Sequence, residues 1–410
     1  MNVSLSAPDV GEKEIDYVVR VLQSGHLSLG PWLTRFEERF AEYAGTRYAI
    51  AANSGTSALH MCVRALELGA DDEVLTTSFS FVASVNCLLY EGVRPALVDI
   101  DPRTLNIDPE RLREFLAVRC SRTASGSLID KTTGKTVKGL LPVHIFGFPC
   151  EMNAIMALAE EYGLLVIEDA CEAIGAEIQG RRVGTFGNAA VFAFYPNKQM
   201  TTGEGGMVVT NDSRVAEVCR SLRNQGRDAD GRWLKHVRLG YNYRLSDIHA
   251  ALGLAQLERI DQLLAARAEV AALYSELLAG HPGVQLPIEQ ADMKRSWFVY
   301  IVQFLGHIPR EARESVQSRL REKGLPSQVY FPAIHRQPFF EHCVPDFNDK
   351  LPRTEHASDT CLALPFSSRM RENEIRLVCD EVLRALDSVN VPQDSVSVMN
   401  VGLGAGAPLS

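Results

Sequence analysis

Phe192-Ala193-Phe194-Tyr195-Pro196-Asn197-Lys198-Gln199-Met200-Thr201-Thr202-Gly203-Glu204-Gly205-Gly206 is the stretch around which the chain is organised. It joins a short aromatic run, a turn presenting one lysine, and a glycine-rich exit. Val191 to Phe194 before the turn and Met207-Val208-Val209 after it are apolar runs of strand length, so the loop between them lies against a packed interior. Lysine is usually a solvated surface residue, and that reading of Lys198 stands beside a second. An amine held near apolar walls has its neutral, nucleophilic form favoured, which Schiff-base chemistry requires.

The same grammar extends outward in both directions. Apolar runs of strand character lie near residues 48, 74, 96, 141, 165, 191 and 207, most of them separated by helical patterns. Seven such runs predict an α/β domain with a largely parallel sheet. Helical periodicity covers Glu12 to Leu22, Trp32 to Tyr43, Ala58 to Leu68, a segment ending at Tyr90, and Asn153 to Tyr162, while Gly139 to Ile145 reads as a strand. Cys120 to Lys138 is polar and rich in glycine and threonine, the composition of an exposed excursion. A helix follows Asp212 to about Leu222, and Ser246 caps a long helix reaching Leu278, long enough to bridge two domains. Beyond Pro282, strands Phe298 to Phe304 and Ser327 to Tyr330, with helices Arg310 to Lys323 and Glu372 to Leu386, predict a smaller α+β unit. The expected division is residues 1–245, 246–389 including the linking helix, and a disordered tail at 390–410.

Two more places carry chemistry. Tyr48 to Ala52 leads into Asn53-Ser54-Gly55-Thr56-Ser57 and then a helix, so free N–H groups and the positive end of the helix dipole converge where a phosphate can sit. An ordinary N-cap by Ser54 or Thr56 explains the same residues. Leu164-Leu165-Val166-Ile167 ends in Glu168-Asp169, an acid at the carboxyl end of an apolar strand, where open α/β sheets bind ligands. Keeping Asp169 ionised and dry there costs several kcal/mol unless a cation such as a protonated ring nitrogen faces it; the alternative is a helix N-cap. Phe81, just past a strand end, either stacks on a planar ligand or packs in the core.

Composition narrows the rest. The 410 residues carry a net charge of −9, which leaves no basic surface for a phosphate backbone and argues against nucleic-acid binding. The nine cysteines include no C-x-x-C pair, which suits free thiols in a reducing compartment. No basic leader opens the chain and no run of eighteen apolar residues occurs, so a cytoplasmic protein that does not enter a membrane is expected.

Taken together, Gln23-Ser24-Gly25, Leu29-Gly30, Asn53-Ser54-Gly55-Thr56, Ser80-Phe81-Val82-Ala83, Val143-His144-Ile145-Phe146-Gly147, Ile167-Glu168-Asp169-Ala170, the Lys198 segment, Gly240-Tyr241-Asn242-Tyr243-Arg244 and Leu364-Pro365 resemble the DegT/DnrJ/EryC1/StrS sugar aminotransferases. The resemblance runs from about Ala7 to Leu386 and implies the type I fold of pyridoxal-phosphate enzymes, with a large cofactor domain and a small C-terminal one. It implies that Lys198 holds pyridoxal 5'-phosphate covalently, that Asp169 pairs with the pyridine nitrogen, and that Phe81 stacks on the ring. By the same resemblance Gly55 and Thr56 bind the phosphate. Glu172 matches a position facing the cofactor's 3-oxygen, where the family more often has glutamine or histidine. Asn242 resembles a residue reaching the phosphate of a neighbouring subunit, which implies a homodimer with shared sites. Ala193 departs from the pattern, since many members have a phosphate-binding serine there. Lys198 itself argues against the branch that has histidine at this position and dehydrates its substrate.

The implied reaction moves an amino group from glutamate or glutamine to a keto-hexose carried by a nucleotide diphosphate, at C4 by the wording of Thr201 to Gly206. A keto-inositol or other cyclic ketone is the alternative acceptor, and a cofactor-binding regulatory protein with little turnover is the alternative class. Arg244, Tyr330 and His335 are polar residues placed either to line the sugar-nucleotide cleft or to serve ordinary surface roles.

Overall fold

The computed structural model describes residues 3–228, 235–305 and 309–388. Among these residues the central sheet has nine strands, seven of them on its main path: β1 (Tyr48–Ala52), β2 (Asp72–Thr77), β3 (Arg94–Val98), β4 (Thr136–Leu140), β5 (Leu165–Asp169), β6 (Ala189–Ala193) and β7 (Gly206–Thr210). Their spatial order is β1-β7-β6-β5-β4-β2-β3. Neighbours from β6 to β3 pair in parallel, whereas β7 runs antiparallel to both β6 and β1. The mostly parallel sheet expected from the sequence is therefore present.

β1, β3, β5, β6 and β7 are buried along nearly their whole length on both faces, which is why they read as largely apolar runs rather than alternations. The period-2 geometry still sorts side chains to opposite sides. Ile50, Val74, Ile167, Val191 and Val208 share one core with Leu59, Met61 and Val63 of the helix Gly55–Ala65. Ala51, Ala190, Phe192, Met207 and Val209 point the other way, onto Phe36 and Phe40 of the helix Pro31–Ala44 and onto Leu254 of the helix Asp247–Leu257. Leu75, Val98, Leu140 and Val166 meet the helices Pro109–Arg119 and Met152–Tyr162. A three-stranded antiparallel sheet, Val284–Gln285, Tyr300–Phe304 and Cys361–Leu364, packs with the helices Pro309–Glu322 and Glu372–Ser388 around a separate core.

Several expectations are corrected. The long helix after Ser246 is two helices, Asp247–Leu257 and Ile260–Leu278. The chain kinks at Arg259, whose guanidinium is held by Glu14 and Asp9 from the N-terminal segment. The second helix then straddles two cores, with Ile260 and Leu263 in one and Val270, Tyr274 and Leu278 in the other. The N-terminal segment itself lies against the C-terminal unit: Val3 joins that core and Phe366 N–H donates to the Leu5 carbonyl. The segment 120–138 is not a plain excursion. Cys120–Arg122 and Leu128–Asp130 form a hairpin that pairs with β4, with Cys120 and Leu128 buried. β4 also starts and ends earlier than the expected Gly139 to Ile145, and Ile145–Gly147 is a 3₁₀ turn. No strand forms over Ser327 to Tyr330; Gln328 alone bridges to Ala363. The expected tail, residues 390–410, lies outside the described residues, among which no helix is long and apolar enough to cross a membrane.

Candidate active site

The carboxyl ends of β2, β5 and β6 open onto one cavity of about 620 Å³, closed from the other side by the segment Val329 to Pro332. Asp169, Lys198, Glu172, Phe81, Gly55, Thr56 and Tyr330 all line it. Seven of the ten residues singled out from the sequence are thus brought together.

Asp169 is the last residue of β5 and is buried. Ser84 Oγ donates to its Oδ2 at 2.7 Å, and the Cys171 N–H donates to its Oδ1 at 3.1 Å. Ser84 is in turn tied to Ser80 Oγ at 2.8 Å, one turn earlier, so the two hydroxyls fix the plane of the carboxylate. Strand alternation turns the preceding Glu168 to the opposite face. There it accepts from the N–H groups of Gly184 (2.8 Å), Phe186 (2.7 Å) and Gly187 (2.8 Å) and contacts His144 Nε2 at 3.2 Å. Because the Cys150 N–H donates to His144 Nδ1 at 3.0 Å, the ring's proton sits on Nε2 and is donated to Glu168. Burial works against the charged form of Glu168, but His144 and the amides together hold its carboxyl below the usual glutamate range.

Lys198 is positioned by its backbone. Its N–H closes a turn on the Tyr195 carbonyl at 2.9 Å, and its own carbonyl accepts from Arg267 Nη2 at 2.9 Å. Arg267 also donates to the Phe298 carbonyl at 3.1 Å, so one guanidinium ties the lysine turn to the C-terminal unit. Burial lowers that guanidinium to about 10. Lys198 Nζ lies 3.9 Å from the centre of the Phe298 ring and 3.3 Å from Glu172 Oε1. The other oxygen of Glu172 accepts from the Phe146 N–H at 2.9 Å. Burial raises the Glu172 carboxyl above the usual glutamate range, against the opposing pull of the Lys198 ammonium.

The helix Gly55–Ala65 points its N-terminus into the cavity, capped by Ser54 Oγ, which accepts from the Ser57 N–H at 3.0 Å. Glycine is required at two positions there. A Cβ on Gly55 would sit 2.8 Å from Ala193 Cβ, and one on Gly206 would sit 2.4 Å from the Ser54 carbonyl oxygen. The close approach of β6 and β7 to the helix start leaves backbone N–H groups as the lining of the seat. Ala193 brings no hydroxyl, while Ser54 and Thr56 line the same cavity.

Asn242, Arg244 and His335 stand apart from the residues lining this cavity. Asn242 is exposed, bridges Asn224, and its carbonyl accepts from Asn53 Nδ2 at 3.3 Å. Arg244 donates to Asn224 Oδ1 at 3.2 Å. The His335 ring is engaged by Ser78 Oγ at 2.7 Å and Glu355 at 3.3 Å, and burial lowers its basicity. Sequence reading missed Ser84, Phe298 and Arg267. The Ser80 to Ser84 spacing, one helical turn, was the available signal for the first; the other two reach the site from about 70 to 100 residues away in the chain and carry no local mark.

A profile of the DegT/DnrJ/EryC1/StrS aminotransferase family matches residues 8–383. Among curated proteins, the GDP-perosamine synthase of Caulobacter vibrioides is 37% identical over 391 residues, covering 95% of this chain and 98% of its own. Helicobacter pylori PseC, an aminotransferase involved in the biosynthesis of pseudoaminic acid, has a similar structure with a TM-score of 0.86 at 27% identity, over 95% of this chain and 100% of that one. S. venezuelae DesV, solved in complex with a ketimine intermediate, gives a TM-score of 0.81 at 32% identity, over 92% and 95%.

Proposed function

The chain belongs to the DegT/DnrJ/EryC1/StrS aminotransferase family, and from that premise we propose that it carries an amino group from glutamate or glutamine to the C4 keto group of a hexose linked to a nucleotide diphosphate. Its family and its enzyme class, a transaminase of the sugar aminotransferase type with the type I fold, are the settled part. The donor, the nucleotide and the carbon are the proposal. A relative named for a nucleotide-linked sugar supports the acceptor class, and the Thr201 to Gly206 wording supports C4.

The family's cofactor is pyridoxal phosphate, and the residues here fit it. The observation that carries the reading is one cavity walled by both Asp169 and Lys198 and floored by a helix start where a Cβ on Gly55 would collide. When bound, the cofactor supplies an electron-accepting ring that stabilises negative charge at the substrate's Cα. The backbone at Gly55 and the Thr56 hydroxyl hold the phosphate, with Ser54 adding the hydroxyl that position 193 lacks. Asp169, held on both oxygens, would pair with the ring nitrogen. Phe81, which lines the same cavity, would stack on the ring. Lys198 serves in turn as nucleophile and as the base and acid that moves the proton at Cα, roles open to an amine and closed to guanidinium. Asn242, exposed and away from its own cavity, reaches the phosphate of a second subunit, which makes the working unit a homodimer in the cytoplasm with no nucleic-acid or membrane partner.

Loading the protein with pyridoxamine phosphate and offering nucleotide-linked 3-keto-hexoses, 4-keto-hexoses and keto-inositols tests this. Return of the pyridoxal absorbance with a 4-keto-hexose alone is the expected result. Return with keto-inositol and none of the sugars overturns the acceptor assignment.

A further inference from the structure

Glu172 is a carboxyl in a position where an amide would satisfy the visible backbone bond equally well. Its Oε2 accepts from the Phe146 N–H at 2.9 Å, a bond that a glutamine oxygen also makes. Its Oε1 does something a glutamine NH₂ cannot do: it accepts a hydrogen bond from the Lys198 amine, 3.3 Å away. Both side chains are shielded, with 7% of the Glu172 side chain and 14% of the Lys198 side chain exposed, so their charges interact with little screening by water.

The groups facing this pair come from every element around it. Asp169 and Cys171 flank Glu172 from the end of β5, and Asp169 disfavours its charged form. Tyr330, across the cavity, feels the same carboxyl, and burial raises its hydroxyl. The Phe298 ring lies against the amine, its centre 3.9 Å from Nζ. Arg267 is spent on two backbone carbonyls. Lys198 is therefore the cation directly opposite Glu172, and Glu172 is the acceptor directly opposite Lys198.

We propose that Glu172 and Lys198 share one proton, the carboxyl taking the proton that the ammonium must shed before the amine can act as nucleophile or base. The step balances within the pair. An N–H bond of the ammonium breaks, an O–H bond forms on Oε1, and ammonium plus carboxylate become amine plus carboxylic acid with no other reactant. Burial makes that exchange accessible by penalising the carboxylate form of Glu172. A glutamine in this position offers no such resting place and leaves the amine to exchange protons with solvent. The inference rests on the reading of Lys198 as the reactive amine, and it makes Glu172 a proton-holding partner in addition to a wall of the cavity.

The test uses Glu172→Gln, which keeps the Phe146 bond, and Glu172→Asp, which keeps the charge and shortens the reach. The first readout needs no cofactor: competitive amine labelling of Lys198 in the apo protein, followed by mass spectrometry across pH 6 to 11. Removing the carboxylate removes the amine's counter-ion, so in Glu172→Gln the midpoint of labelling should fall by at least about one pH unit, a tenfold gain in labelling at neutral pH, with Glu172→Asp between the two. The second readout is the pH profile of the donor half-reaction in the loaded protein. The acid limb of the profile should move with the glutamine variant and return toward the wild-type position with aspartate. An unmoved labelling midpoint in a folded Glu172→Gln protein overturns the pair. Failure of the wild-type protein to bind pyridoxal phosphate would instead defeat the functional reading, and the apo labelling separates the two.

Discussion

The two edges of the same sheet gather charge in opposite ways. At the amino-terminal edge, Glu73, the second residue of β2, and Arg94, the first of β3, lie 3.2 Å apart. Arg119 donates to Asp130 at 2.7 Å and to Asp349 at 2.6 Å, while Arg94 also reaches Asp346 at 2.7 Å. Four acids and two arginines close on one another and join the hairpin of residues 120–130 to the segment 346–349. At the carboxyl-terminal edge, Asp169 is held by a hydroxyl and an amide, neither of them charged, and its face toward the cavity stays open. The comparison separates charge that completes a fold from charge that waits for a ligand. Glu168 and Asp169 repeat it within one strand, the first saturated by three amides and a histidine and the second only partly engaged.

Substitutions at the two edges should therefore move different measurements. The largest effect is expected from Lys198→Ala, which should slow the glutamate half-reaction by at least about 10³-fold in rapid-mixing absorbance while the melting temperature stays near wild type. Asp169→Asn should slow the same step by roughly 10- to 10³-fold, the range that corresponds to losing an opposite charge beside a titrating nitrogen. A collapse of stability in either variant, with the half-reaction otherwise normal, would erase the contrast between the edges.

The amino-terminal edge should respond in stability alone. Burial beside Asp130 raises Glu73 to about 7, so the folded protein prefers its protonated form. The resulting stability is fully present below about pH 4.5 and is lost as pH rises toward 7. Urea unfolding should show wild type losing up to about 3 kcal/mol relative to Glu73→Gln across that window, with turnover unchanged. A pH-independent difference would contradict the shared burial of Glu73 and Asp130. Arg119→Ala should cost about 2 kcal/mol, below the usual penalty for a broken buried pair because the arginine is partly exposed. Reduced turnover in that variant would mean that the two edges are coupled.

The strand runs and the Lys198 turn were legible because each is a local pattern: apolar runs of strand length, a lone amine, a glycine-rich exit. Asp169 was legible for the same reason, as an acid ending an apolar strand. The hairpin at Cys120–Asp130 was not, since its only inward residues, Cys120, Leu128 and Asp130, sit among polar neighbours. The break at Arg259 was hidden because Asp9 and Glu14, about 250 residues away in sequence, hold its side chain. His335 has the chemistry of a substrate ligand, yet Ser78 and Glu355 already engage both ring nitrogens. Such contacts follow from the packing of separate elements, and no spacing rule announces them.

The central claim is that one amine, Lys198, holds the cofactor opposite Asp169. The direct test is borohydride reduction of the protein saturated with pyridoxal phosphate, followed by peptide mapping of the phosphopyridoxyl group. The account predicts one label per chain, on Lys198, and its loss in Lys198→Ala. A label on any other lysine, or none on a protein that still transaminates, contradicts it.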